Sequence, residues 1–294
     1  MKRYPIKKID IPRGETIAYR QAGTAGPIVI LLHGNNSSSV HWQTTMEQLE
    51  RDYQVYAVDM RGFGDSSYNK EFNSIHELSE DIEQLIDALG ISEFYVVGWS
   101  AGGPVAMEIA ADWPERVKGV TLLCTGPLTG FPWPVKDGET VSKELIGKNE
   151  NVYLLEKAHR NGERQVLRMV CDATLYDRKQ PDKEEYEQYI DAICKQRCLL
   201  DINYALITFN MAHDPSPAAT GSGRVDLVKC PVTVIHAEYD KLIPLAWNQS
   251  VKDLLGDRAK LVILDGLGHS PLTDDLQRVI EVLRGSFDKG KILE

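Results

Sequence analysis

Nothing in this 294-residue chain approaches the run of about 18 to 20 apolar residues that a bilayer-spanning helix needs. The N-terminus alternates charged and apolar residues where a signal peptide would carry its apolar core. The sequence therefore predicts a soluble, cytoplasmic protein with no membrane partner. Basic residues are also short: 33 Lys and Arg stand against 43 Asp and Glu, a formal charge of −10. A nucleic-acid partner requires clustered cations to neutralise phosphates. The one basic stretch, Lys2, Arg3, Lys7 and Lys8, reads as a solvated edge, so no nucleic acid is expected. Cysteine is sparse, odd in number and scattered, at Cys124, Cys171, Cys194, Cys198 and Cys230. Cys194 and Cys198 stand one helical turn apart rather than in a metal-type pair, which predicts reduced, mostly core thiols. No two histidines fall at ligand spacing with a carboxylate, so no metal is expected, and no cofactor.

With 43% apolar residues the chain is long enough to bury one large α/β core. Residues 6–11 and 15–21 predict an opening antiparallel pair joined at Pro12-Arg13-Gly14. Ile28-Val29-Ile30-Leu31-Leu32 is apolar throughout, as in a strand buried on both faces of a parallel sheet. Residues 55–58, 94–97, 117–123, 232–235 and 261–264 repeat that theme, with helical patterns between most of them. Such alternation predicts a mostly parallel central sheet with helices on both faces. From about Leu128 to Val228 no buried-strand run appears, and the residues suit amphipathic helices over 142–161, 162–175 and 183–209. Turn-rich stretches at 126–134 and 215–223 bracket this region. The predicted division is a core domain of residues 1–127 and 229–294 with an inserted helical cap, 128–228.

The chemistry gathers after the strands. Gly98-Trp99-Ser100-Ala101-Gly102 follows Phe94-Tyr95-Val96-Val97 directly. A helical pattern over 103–113, with Val105, Ala106, Ile109 and Ala110 on one stripe, then runs to Pro114. Strand, tight turn and helix form the nucleophile-elbow pattern. A serine on so sharp a turn holds a strained backbone, and its neighbours two positions away must have almost no side chain. Ser100 is the candidate nucleophile, and the first N–H groups of the helix, from Ala101 onward, face whatever oxygen develops negative charge.

Reactive groups in an open parallel sheet collect beyond the carboxyl ends of the strands. After 232–235 comes His236-Ala237-Glu238-Tyr239-Asp240, and after 261–264 comes Asp265-Gly266-Leu267-Gly268-His269. A neutral serine is a poor nucleophile near pH 7, so a histidine must take its proton as it attacks, and His269 suits that role. A carboxylate must then hold the second ring nitrogen. Asp240 is the best placed, with Glu238 and Asp265 as weaker candidates.

The order Ser100, Asp240, His269, each in a post-strand loop, resembles that of the α/β-hydrolase superfamily. His33-Gly34-Asn35 is similar to the superfamily's oxyanion loop, and Asp59-Met60-Arg61-Gly62-Phe63-Gly64-Asp65-Ser66-Ser67 to its D-x-R-G-x-G-x-S turn. The resemblance covers nearly the whole chain outside the cap. It implies a Ser100–His269–Asp240 triad and an oxyanion hole from the backbone of Ala101 and Asn35, with the Asn36 amide as an alternative donor. The other loop where these proteins place their acid, Cys124-Thr125-Gly126-Pro127, offers no carboxylate. His33 and His236 are expected to be structural; His41, His76, His159 and His213 to be surface or cap residues. Asp59 and Arg61 are expected to fix a turn, and Ser37-Ser38-Ser39 to be loop polarity. Trp99, Asn36, Trp133 and Phe131 are candidate substrate contacts, with sheet-to-cap packing as the alternative for the aromatics. Phe209, Met211 and Tyr204 are further cap residues that suit the pocket.

Serine at the elbow, where dehalogenases and epoxide hydrolases resembling this family carry aspartate, implies an acyl-enzyme. Residues 33–39 and 98–103 are similar to the corresponding stretches of bacterial lactonases that open acyl-homoserine lactones. The expected activity is hydrolysis of a small, partly apolar carboxylic ester or lactone by a monomer or small homo-oligomer. Carbon–carbon bond hydrolysis of a diketone and a ligand receptor that retains the triad are the alternatives.

Overall fold

Among residues 2–135 and 139–287, which the computed structural model describes, eight strands form a single sheet. Residues 1, 136–138 and 288–294 of the expected domain ranges lie outside them. The strands are β1 (Lys7–Asp10), β2 (Thr16–Ala22), β3 (Ile28–Leu32), β4 (Gln54–Asp59), β5 (Phe94–Trp99), β6 (Val117–Leu123), β7 (Val232–Ala237) and β8 (Ala259–Leu264). Their order is β1-β2-β4-β3-β5-β6-β7-β8, with β2 antiparallel to both its neighbours and every later pairing parallel. The chain leaves β3 for β4 on one side and then crosses to β5 on the other. That reversal opens a crevice beyond the carboxyl ends of β3 and β5, the place where α/β sheets bind ligands.

Alternate residues of the central strands serve two cores, as a side-chain period of two requires. Ile30, Leu32, Val96, Leu122 and Val234 join one apolar cluster, and Val29, Leu31, Val97, Leu123 and Ile235 the other. The first is covered by α2 (Ile75–Ala88) and α3 (Gly102–Asp112), the second by α1 (Gln43–Leu49) and a C-terminal helix, Leu276–Phe287. Ser74 caps α2 by accepting the Glu77 N–H, which starts the helix where its apolar stripe begins.

Between β6 and β7 lie α4 (Lys143–Gly147), α5 (Glu150–Asn161), α6 (Arg164–Thr174), α7 (Lys183–Ile193) and α8 (Leu199–Ile207). Two predicted helices are each two. The run 142–161 breaks because Asn149 stops one helix and caps the next, accepting the N–H groups of Asn151 and Val152. The run 183–209 breaks because the Lys195 and Gln196 N–H groups tighten onto the carbonyls three residues back, Ala192 and Ile193, and the chain then turns to the sheet side of the molecule. The Arg197 N–H donates to the Gly62 carbonyl at 2.9 Å, and Lys195 Nζ pairs with Asp65 at 2.8 Å. After β7 comes α9 (Leu245–Leu255); after β8 come α10 (Pro271–Asp274) and α11 (Leu276–Phe287). Among the described residues no helix is long and apolar enough to cross a membrane.

Candidate active site

β5 ends at Trp99, and Ser100 turns the chain with φ 52°, in the left-handed region that side chains with a Cβ rarely adopt. Two bonds hold it there. Its N–H donates to the Leu123 carbonyl at 2.9 Å, and its carbonyl accepts the Gly103 N–H at 3.0 Å. A Cβ on Gly98 would collide with the Gly102 carbonyl, and one on Gly102 with the carbonyls of Leu32 and His33, so both flanking positions must be glycine. Since α3 begins at Gly102, the Ala101 N–H belongs to the donors without helical partners at the positive end of the helix.

Asp240 follows β7 in a turn in which its Oδ1 accepts the N–H groups of Leu242 and Ile243, both at 2.9 Å. That leaves Oδ2 for His269, whose Nδ1 lies 2.7 Å away; His269 Nε2 lies 3.0 Å from Ser100 Oγ. The Asp240 side chain is fully buried. A carboxylate against Nδ1 keeps the proton on that nitrogen, so Nε2 offers its lone pair to the serine hydroxyl. Glu238 instead accepts the Gly266 N–H, and Asp265 pairs with Arg278 in solvent. Cys124, at φ 46°, lies against Asp240; burial and that carboxylate push its thiol well above the usual range and keep it protonated.

Leu32 pairs with Gly98, so residues 33–36 run directly past the elbow. The His33 ring is buried, and burial lowers its pKa; the neutral ring gives Nδ1–H to the Gly34 carbonyl at 2.8 Å and accepts the Met60 N–H on Nε2 at 3.1 Å. Asp59 accepts the N–H groups of Ser39 at 2.6 Å and Asp65 at 2.9 Å, while Arg61 makes a two-pronged pair with Asp81. These residues fix the turn that buttresses the loop. Asn36, at φ 52°, donates its N–H to Asn35 Oδ1 and Gln196 Oε1, each at 3.0 Å. Among the described residues the Asn35 N–H has no hydrogen-bond partner.

The aromatic candidates separate. Trp99 is 1% exposed and gives its indole N–H to the His269 carbonyl. Trp133 and Phe131 line a groove of about 490 Å³ with Ser216, Pro217 and Ala218, whose walls include none of Ser100, Asp240 and His269. The Phe131 ring covers Gly126 and meets Trp247 edge-on at 5.4 Å. Phe209 and Met211 are buried in the core, and Tyr204 packs in a small cluster around Ile146.

His41 is not a surface residue. It is buried in the short turn after β3 and stacked on Tyr189 at 4.1 Å, and burial pushes its pKa down to about 3. His159, on α5, is also buried, with its pKa lowered to about 4, and its Nε2 lies 2.8 Å from Asn36 Oδ1. Gln196 and His159 are the neighbours of Asn35 and Asn36 that sequence reasoning missed; Gln196 sat inside an apparently continuous helical pattern. His76 comes together with Glu108 and Asp112, but Arg224 pairs with both carboxylates, at 2.7 and 2.6 Å, and fills the space with its own cation.

A family model described as alpha/beta hydrolase fold matches residues 27–276. The chain is 25% identical over 249 residues to the 2-hydroxy-6-oxononadienedioate/2-hydroxy-6-oxononatrienedioate hydrolase of Burkholderia vietnamiensis, with 81% of each chain covered. Its fold is shared by the esterase EaEST from Exiguobacterium antarcticum, with TM-score 0.73, 17% identity, and 95% of this chain and 97% of that one covered. It is shared equally by a mutant of the N-acyl homoserine lactonase AidH complexed with N-hexanoyl homoserine, with TM-score 0.72, 18% identity and 99% of both chains covered.

Proposed function

The chain belongs to the alpha/beta hydrolase fold family, and from that premise we propose that it is a serine hydrolase that cleaves a carboxylic ester or lactone through an acyl-enzyme. The observation that carries this reading is the hydrogen-bonded line Asp240–His269–Ser100, at 2.7 and 3.0 Å, ending on a serine in a strained turn. Ser100 Oγ attacks the carbonyl carbon as His269 Nε2 takes its proton. The oxyanion receives hydrogen bonds from the N–H groups of Ala101 and Asn35, each worth roughly 100- to 1000-fold in turnover. Asn36 is the weaker candidate donor, since its N–H is already spent on Asn35 and Gln196. Collapse of the tetrahedral species breaks the bond to the alkoxy oxygen, which leaves with the proton from His269; in a lactone it stays tethered. Water, deprotonated by the same nitrogen, then releases the acid.

In this reading residues 128–228 form the cap over a core of 1–127 and 229–294, and the substrate lies between them. Trp99 and Asn36 shape the site from below and beside. Phe131, packed on Gly126 next to Thr125, whose hydroxyl reaches the Ser100 carbonyl, and Trp133 beyond it would meet the apolar end of a longer substrate. The test is turnover of p-nitrophenyl acetate, N-hexanoyl homoserine lactone and a 2-hydroxy-6-oxodienoate by one preparation. Ser100-dependent hydrolysis of the ester or lactone is expected. A second reading, carbon–carbon bond hydrolysis, is favoured by the likeness to the Burkholderia enzyme. Turnover of the dienoate alone would put that reading first.

A further inference from the structure

We infer that Gln196 is a positioning residue of the oxyanion loop, acting through both Asn35 and Asn36, with His159 holding Asn36 from its other side. The inference rests on the serine-hydrolase reading, for which the position of the Asn35 N–H decides how well the oxyanion is held.

The Gln196 carboxamide uses both its ends. Its Oε1 accepts the Asn36 N–H at 3.0 Å, and its Nε2 donates to Asn35 Oδ1 at 2.7 Å. Bonds of opposite polarity on adjacent residues fix the amide in one orientation and allow the loop one conformation. That conformation is not one Asn36 favours, since it stands at φ 52°. Without an external partner, relaxation of Asn36 would rotate the peptide joining it to Asn35. With His33 anchored to Met60, Asn35 would then be the residue displaced.

His159 restrains the Asn36 side chain. Its Nδ1 lies 3.1 Å from the Ile193 carbonyl, which can only accept, so this nitrogen carries the proton of the neutral ring. Nε2 must then accept; the atom placed 2.8 Å from it is Asn36 Oδ1, so this pairing takes the Asn36 amide with its oxygen and nitrogen exchanged, the NH₂ toward the ring. The backbone of Asn36 is thus held by Gln196 and its side chain by His159.

A positioning group must itself be fixed, and Gln196 is 2% exposed on a tethered segment. On either side of it, Lys195 pairs with Asp65, the Arg197 N–H binds the Gly62 carbonyl, and Cys198 packs on Gly62. All three contacts fall on the 59–67 turn, the turn that also holds His33 through Met60 and Ser39 through Asp59. One turn therefore sets the loop from within and, through Gln196, from the insertion. A polar cleft of about 970 Å³ borders Gln196 and His159, so water can enter when the glutamine is shortened and the fold need not fail with it.

The experiment compares wild type, Gln196→Ala, Gln196→Glu and Ser100→Ala for the rate of labelling by a fluorophosphonate. Steady-state p-nitrophenyl acetate hydrolysis and thermal melting are measured alongside. The Glu variant keeps the shape and one acceptor but loses the donor to Asn35 and adds a negative charge beside the loop. Both Gln196 variants are expected to label and turn over roughly 10- to 100-fold more slowly, less than the loss of a donor outright. KM and the melting temperature are expected to change little, a split that loosened substrate binding would not produce. Wild-type rates in both variants, a loss confined to KM, or absence of a cooperative transition in both would overturn the inference. Failure of wild type to label at Ser100 would overturn the serine-hydrolase reading and this inference with it.

Discussion

The indole N–H of Trp99 donates to the main-chain carbonyl of His269 at 2.9 Å, so the residue immediately before the elbow serine anchors the loop that carries the histidine. The two ends of the Ser100–His269 contact are thereby tied to one side chain. Trp99→Phe keeps most of the apolar volume and leaves that buried carbonyl without its donor, a loss of roughly 1 to 3 kcal/mol in stability. Urea denaturation is expected to show that loss and ester hydrolysis a lowered kcat. Unchanged values of both would make the bond incidental.

Asp240 offers a sharper case because its Oδ1 is already committed to the amides of Leu242 and Ile243. In Asp240→Asn those two donors keep the oxygen, so the new NH₂ must face His269 Nδ1. The ring then protonates on Nε2, the wrong tautomer for taking the serine proton. A fall in kcat of about 10⁴-fold is expected from steady-state kinetics, with the melting temperature little changed. A loss of only a few-fold would remove Asp240 from the triad.

What was legible in the chain follows from where its constraints lie. Ile28–Leu32 was readable to the residue because a strand buried on both faces must be apolar throughout. The elbow was readable because the crowding around Ser100 falls on Gly98 and Gly102, its own near neighbours. The end of α7 was not, because the chain there turns to Gly62 and Asp65, far away in sequence. His41 and His159 lacked any local sign of burial for the same reason: Tyr189 and Asn36, which meet them, come from other parts of the chain. Phe131 and Trp133 were legible as aromatics beside turns, but the groove they line depends on residues 216–218.

Glu83 gives a pH-dependent stability of defined sign. Burial, with Asp112 beside it, raises its pKa from 4.5 to about 8. The folded protein therefore holds a proton that the unfolded chain has released, and stability falls as pH rises from about 4.5 to about 8. Glu83→Gln mimics the protonated state permanently. It is expected to be more stable than wild type at pH 8, with the difference closing near pH 4.5, in urea denaturation across that range. A pH-independent difference would show that Glu83 is not the group responsible.

The central claim is that Ser100 is an activated nucleophile, and intact-mass spectrometry after fluorophosphonate treatment of wild type and Ser100→Ala tests it most directly. One adduct in wild type, located by peptide mapping to Ser100, and none in the variant is the expected result. The variant should also lose ester or lactone turnover by about 10⁶-fold while keeping its circular dichroism spectrum. Equal labelling of the two proteins, or turnover retained by Ser100→Ala, would contradict the mechanism outright.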